Sequence, residues 1–171
     1  ISLFCDVPTR GVVSAPDLDD IYHVPLTLQE EGLDEYVMEC LELESRGWDT
    51  SWREIIDREC TETVDVGLVG KYNFQDAYLS IYEALKHAGL ETGIEANVVW
   101  VSSDDLTADD SEKLQDLDGI IVPGGFGERG TNGKIFAIRY ARQQEVPYLG
   151  LCYGFQMAVV EFARHVVGLE G

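Results

Sequence analysis

Residues 147–157 read PYLGLCYGFQM. The run 147–151 has the character of a short strand, one cysteine follows, and a helical pattern begins at Tyr153. Gly150 and Gly154 flank Cys152 at two residues on either side, so the pattern is Gly-x-Cys-x-Gly, the thiol counterpart of the serine nucleophile elbow. Such a turn is sharp and strains the dihedrals of the central residue, and small neighbours relieve the collisions. The helix that follows offers free N–H groups and a partial positive charge, which favour a thiolate. The N–H of Tyr153 can also point at an oxyanion. A lone cysteine in a strand is more often buried and inert. The paired glycines and the strand-to-helix switch make Cys152 a nucleophile instead. Cys5, Cys40 and Cys60 lack that setting and read as structural.

Outward from the elbow the pattern is of alternating strands and helices. Strands are expected at 64–69, 94–101, 119–122 and 147–151. Helices are expected at 76–87, closed by Gly89, and at 107–117, 135–144 and 153–167. Strands separated by helical crossovers imply a parallel sheet covered on both faces. Ligands bind such sheets beyond the carboxyl ends of the strands, where both glycine-rich stretches, 123–130 and 150–154, fall. Before a polar boundary at 60–63 the reading changes. ISLFCDV opens as if in mid-strand, as though cut from something longer. Short helices are expected at 26–31 and 33–43, separated by Gly32, and a third at 48–60 with Thr50 or Ser51 as its cap.

The 171 residues carry 32 acidic against 12 basic side chains, a formal net charge of −20. That balance argues against a nucleic-acid-binding face. The acids are dispersed along the chain, a pattern that stays hydrated and is screened at high salt, which suggests a salt-loving source. No apolar run approaches the roughly 18 residues of a membrane span, and a cytoplasmic protein is expected. Four widely spaced cysteines with no CxxC pair argue against a zinc knuckle or a disulfide framework.

The loop PGGFGERG (123–130) contains the spacing G-x-G-x-x-G at Gly125, Gly127 and Gly130. A dinucleotide fingerprint would also need an acid closing the next strand. Glu145 precedes that strand, so the fingerprint fails. Bare backbone N–H groups approaching an oxyanion above Cys152 account better for the glycines. A base for the thiol is harder to find. His165 lies 13 residues beyond Cys152 on the same expected helix, roughly 20 Å away. His23 and His87 read as surface or packing residues.

GLVGKY, DAYLSIYEALKHAG, DGIIVPGGFGERG, KIFAIRYAR and VPYLGLCYGFQMAVVEFARHV together resemble the first half of the glutaminase domain of CTP synthases. ISLFCDV, SAPDLDDIYHVP and GLDEYV resemble the end of the synthetase domain and the linker of the same family. The resemblance implies an α/β, flavodoxin-like class I glutaminase fold, with a parallel sheet and helices on both faces, preceded by a partial synthetase-domain and linker segment. It divides the chain into 1–62, synthetase end and linker, and 63–171, the N-terminal part of the amidotransferase domain. It implies amination of UTP to CTP with ATP, Mg²⁺ and ammonia from glutamine, activation by GTP, inhibition by CTP, and a homotetramer.

Carried over residue by residue, Cys152 would attack glutamine and the N–H groups of Gly125 and Tyr153 would hold the oxyanion. The turn of Tyr153, Gly154, Phe155 and Gln156 would line the glutamine pocket. Phe4 would lie near the pyrimidine nucleotide, and Pro16, Asp17 and Leu18 beside the adenine of ATP. The family has Leu and Met where this chain has Tyr153 and Phe155, implying a bulkier pocket wall. Its catalytic His and Glu follow the part matched here, and its phosphate loop and Mg²⁺ ligands precede it, so no metal ligand is expected in this chain. By itself the chain is expected to make no CTP and to hydrolyse glutamine negligibly. Two other readings remain open: another class I glutamine amidotransferase, and a non-catalytic assembly module that retains the elbow.

Overall fold

The structure, a computed structural model, describes residues 1–47, 50–73 and 75–169. The chain divides into two compact units, Ile1–Arg58 and Glu59–Gly171.

The second unit is built on four parallel strands in the order β2-β1-β3-β4, namely β2 (Ile94–Ser102), β1 (Glu62–Gly70), β3 (Gly119–Val122) and β4 (Tyr148–Gly150). Because successive side chains leave a strand on opposite faces, the apolar runs of β1 and β3 supply two cores. Val69, Ile120 and Val122 point to one face, where α6 (Thr131–Gln144) and α7 (Tyr153–Phe162) cover them with Ile135, Ile138, Ala141 and Met157. Leu68 and Ile121 point to the other, against Ile81, Tyr82 and Leu85 of α5 (Leu79–Thr92). A sheet buried on both faces needs continuous rather than alternating apolar strands, which is what GLVG and GIIV supply. The order reverses between β1 and β3, and the crevice at such a switch point is where the strand ends diverge.

Several expected boundaries move, each for a local reason. The helix after β1 begins with a 3₁₀ turn, Gln75–Tyr78, and does not end at Gly89. Gly89 is buried inside α5, where a Cβ would stand 3.0 Å from the carbonyl of Ile94, so its smallness serves close approach to β2. Gly93, with φ 75°, closes the helix through its N–H to the Gly89 carbonyl at 2.8 Å. The stretch 107–117 forms 3₁₀ turns, Ala108–Lys113, rather than an α-helix. There the Asp110 carboxylate accepts from the N–H and hydroxyl of Thr107 and from Lys113, local bonds that compete with a helical ladder. α7 passes at Ala163–Val167 into a π turn.

In the first unit, residues 1–7 form a one-turn helix, α1 (Ser2–Cys5), and not a strand. Its local bonds, Cys5 N–H to Ile1 at 2.9 Å and Ser2 Oγ to the Val7 carbonyl at 2.6 Å, satisfy backbone that no strand pairs among the described residues of this unit. α2 (Val24–Glu30) and α3 (Leu33–Cys40) meet at Gly32, whose φ of 79° lets the chain turn. α4 is short (Ser51–Ile56), preceded by Thr50 without a side-chain cap; Trp48, the expected start, lies outside the described residues. Trp52 donates to the Tyr22 carbonyl at 3.0 Å, and Leu26 and Ile56 are buried.

Candidate functional site

Three segments follow the carboxyl ends of β1, β3 and β4 at the switch point: Lys71-Tyr72, the glycine loop 123–130, and the Cys152 elbow. The elbow is strained as its sequence requires. Cys152 has φ 52° and ψ −107°, outside the left-handed well that non-glycine residues use. Both flanking glycines are dictated by contact. A Cβ on Gly150 would fall 2.7 Å from the N of Phe155, and one on Gly154 would fall 2.0 Å from the Val122 carbonyl oxygen. The turn is held by Leu151 N–H to the Val122 carbonyl (3.0 Å), Gly154 N–H to the Leu151 carbonyl (2.9 Å) and Tyr148 Oη to the Gly154 carbonyl (2.9 Å). Burial pushes the Tyr148 phenol well up, so it stays a neutral donor. The thiol-bearing residue itself is exposed.

The glycine loop forms the facing wall. A Cβ at Gly124 would lie 3.5 Å from Cys152 Cβ and 3.9 Å from its Sγ. Gly125 and Gly127 both have φ 108°, a conformation that side chains rarely adopt. Two buried lysines grip the loop's carbonyls. Lys134 of α6, with no exposed surface, donates to Pro123 and Gly124 at 3.2 Å each, and Lys71 donates to Phe126. Burial and the neighbouring charge of Lys71 push the Lys134 ammonium down to about 8, partly opposed by Asp104 and Cys152. Arg129 donates to the Lys71 carbonyl at 2.9 Å and lies 3.7 Å from Asp104. Positive charge is thus concentrated beside the thiol in a strongly acidic chain.

Tyr153 begins α7, and the first N–H groups of a helix have no acceptor within it. Its ring stacks edge-on against Phe126 (centroids 5.3 Å apart), and its Oη is 3.2 Å from Thr131 Oγ1. Tyr153 therefore ties the elbow to the glycine loop, a role its backbone N–H alone did not suggest. Phe155 and Gln156 are exposed beyond it, and Gly154 is buried under β3.

The histidines are engaged elsewhere. His165 Nδ1 faces Glu161, 3.1 Å from its carbonyl and 3.3 Å from its carboxylate. Glu161, buried, also accepts two hydrogen bonds from Arg142 at 2.8 and 3.0 Å, which pin α7 to α6. His23 Nε2 lies 3.4 Å from Asp57 in the first unit. Cys5, Cys40 and Cys60 are all exposed, and Cys60 Sγ donates to the Gly89 carbonyl at 3.8 Å.

Within the first unit, Phe4 projects from α1 almost fully exposed, at 91%. Leu18 lines a cavity of about 400 Å³ with Asp19, Asp20, His23, Leu26 and Arg53. Phe4, Pro16 and Asp17 are not among its walls. Among the described residues no group of three or more His, Cys, Asp or Glu side chains could hold a metal ion, and no helix is long and apolar enough to cross a membrane.

Residues 73–170 match the family model of glutamine amidotransferase class-I. The chain belongs to that family. Residues 1–43 match a second model, the CTP synthase N-terminus, so each unit carries its own family match. Over its whole length the chain is 59% identical to CTP synthase of Natronomonas pharaonis and 56% identical to that of Halobacterium salinarum. It covers 32% of each, so the chain spans about a third of the length of these relatives. CTP synthase of Archaeoglobus fulgidus is 54% identical over 99% of the chain, again 32% of the relative. Among solved structures, the glutaminase domain of Trypanosoma brucei CTP synthase with bound acivicin is similar, with a TM-score of 0.58 and 39% identity. That likeness covers 61% of this chain and 42% of the other. The resemblance to CTP synthases and the class I glutaminase fold are both borne out.

The signal that sequence reasoning missed is the lysine pair. Nothing in the reading of KIFAIRYAR singled out Lys134. Its position on the face of α6 shared with Ile138 and Ala141 was the available clue, since residues three or four apart share a face.

Proposed function

We propose that this chain supplies the middle of a CTP synthase, with residues 1–62 closing the synthetase domain and linker and 63–171 opening the glutaminase domain. The observation that carries the reading is the strained Cys152 elbow facing the glycine loop, with Gly124 against the thiol. In the reaction the Cys152 thiolate adds to the side-chain amide carbon of glutamine. The carbonyl electrons move to oxygen, and that oxyanion is met by the N–H groups of Gly125 and Tyr153. Collapse expels ammonia once the leaving nitrogen takes a proton, and water then cleaves the thioester to glutamate and the free thiol. Tyr153, Gly154, Phe155 and Gln156 line the glutamine pocket.

The proton carriers, the catalytic His and Glu, come from sequence that follows the matched part in this family, so the chain alone turns over negligibly. The ammonia aminates UTP with ATP and Mg²⁺, the metal being held by residues outside this chain. Phe4 lies toward the pyrimidine nucleotide, Pro16 to Leu18 toward adenine, GTP activates, CTP inhibits, and the complete protein is a cytoplasmic homotetramer.

In the full-length polypeptide, Cys152→Ala is expected to abolish CTP formation from glutamine while leaving formation from ammonium salts intact. A glutamine-like diazo-ketone should label Cys152 and no other cysteine. Glutamine-driven synthesis that survives Cys152→Ala defeats the assignment.

A further inference from the structure

We propose that Lys134 is a positioning residue of the glutaminase site, locking the two peptide planes around Gly124 so that the N–H of Gly125 is presented to the oxyanion. The inference rests on the reading of Cys152 as the glutaminase nucleophile. A lysine with no exposed surface is uncommon, because a buried ammonium must be compensated by hydrogen bonds. The core face of α6 could have been completed by a methionine. Instead the Lys134 ammonium reaches out of the core to the carbonyls of Pro123 and Gly124, at 3.2 Å each, with the Tyr153 ring 5.3 Å away.

Those two carbonyls fix more than themselves. A peptide unit is planar and trans, and none of the bonds here is cis. Its C=O and N–H therefore point in opposite directions. Holding the Pro123 and Gly124 oxygens toward α6 turns the N–H groups of Gly124 and Gly125 away from α6. Gly124 is the residue that lies against Cys152. The need for an anchor follows from the glycines. Without a Cβ, the peptides between Gly124, Gly125 and Gly127 can flip at little energetic expense. Donors aimed at a developing charge help only if they are already oriented.

Lys71 secures the far end of the same loop through the Phe126 carbonyl. The lowered Lys134 pKa of about 8 agrees with a desolvated ammonium beside a second cation, still protonated at neutral pH in the form that donates to both carbonyls.

The test compares two reactions of the same thiol in the full-length enzyme. Glutamine hydrolysis passes through an oxyanion. Alkylation by iodoacetamide displaces iodide at a CH₂ carbon and forms none. Lys134→Met should lower kcat for hydrolysis on the order of 10²-fold, the scale of losing one oxyanion donor. KM for glutamine and the alkylation rate should stay within about threefold, a loss too small to matter beside that scale. Lys134→Gln, which keeps an N–H donor, should recover part of kcat.

Unchanged kcat in a folded Lys134→Met variant overturns the proposal. So does a parallel loss of hydrolysis and alkylation, which would place Lys134 in support of the thiol instead of the loop. If the Met variant fails to fold, the same ratio in Lys134→Gln decides, and failure of both variants to fold assigns the residue to stability and refutes positioning. Hydrolysis persisting in Cys152→Ala would instead sink the underlying reading.

Discussion

Gly154→Ala tests the geometry of the elbow more sharply than removal of the thiol. In a helix, alanine is favoured over glycine by about 1 kcal/mol, so propensity alone predicts a more stable protein. The structure predicts the reverse. The new Cβ would stand 2.0 Å from the Val122 carbonyl oxygen, whereas ordinary contact begins at 3.4 Å, so α7 and β3 must separate by more than about 1 Å. Neither side can swing aside. Val122 is fully buried, its carbonyl accepts from Leu151, and it is paired with β4.

Overpacking against rigid backbone lies at the upper end of its usual range, about 3 kcal/mol. Net of propensity the loss is about 2 kcal/mol, or roughly 4–8 °C in Tm for a protein of this size. Shifting the elbow by more than 1 Å should also slow glutamine hydrolysis on the order of 10²-fold. Thermal melts followed by circular dichroism, with hydrolysis measured in the full-length enzyme, give both quantities. Gly93→Ala is the control: its φ of 75° strains any side chain, but no heavy atom lies within 4 Å. That change should cost about 1 kcal/mol and leave hydrolysis alone. A Gly154→Ala protein that melts at or above the wild-type temperature, with unaltered hydrolysis, refutes the reasoning.

Two further outcomes follow from charge. Because the folded-state pKa of Lys134 is depressed to about 8 from 10.5, the unfolded chain binds more protons between those values. Stability should therefore rise with pH from about 8 to about 10.5 through this group, and Lys134→Met should flatten that part of a denaturation-midpoint series; an unchanged slope contradicts the assignment. With a net charge of −20, the chain should unfold at higher temperature in about 2 M KCl than in dilute buffer, since salt screens its self-repulsion. A midpoint that salt leaves unmoved or lowers removes the case for a salt-adapted surface.

Local pattern was enough wherever one physical requirement dominated. Gly150-Leu151-Cys152-Tyr153-Gly154 declared its turn because only glycine fits where the backbone of Phe155 and the Val122 carbonyl come so near. The β1 and β3 runs declared a doubly covered sheet because both faces had to be apolar. The pattern misled where two explanations fit one residue. Gly89 and Gly93 are both plausible helix ends, and only the approach of β2 separates them. ISLFCDV has strand composition, but a strand needs a neighbour to pair with, and composition does not supply one.

By itself, then, the sequence determined the α/β class, the elbow and the glycine loop, because each is dictated by interactions between residues close along the chain. Only the tertiary structure decided which carbonyls a lysine would hold, that Tyr153 would bridge to Phe126 and Thr131, and that Arg142 of α6 would clasp Glu161 of α7. Those contacts join residues brought together by the reversal of strand order between β1 and β3 and by the packing of α6 on α7. A buried ammonium and an exposed one are the same letter until the fold takes the water away.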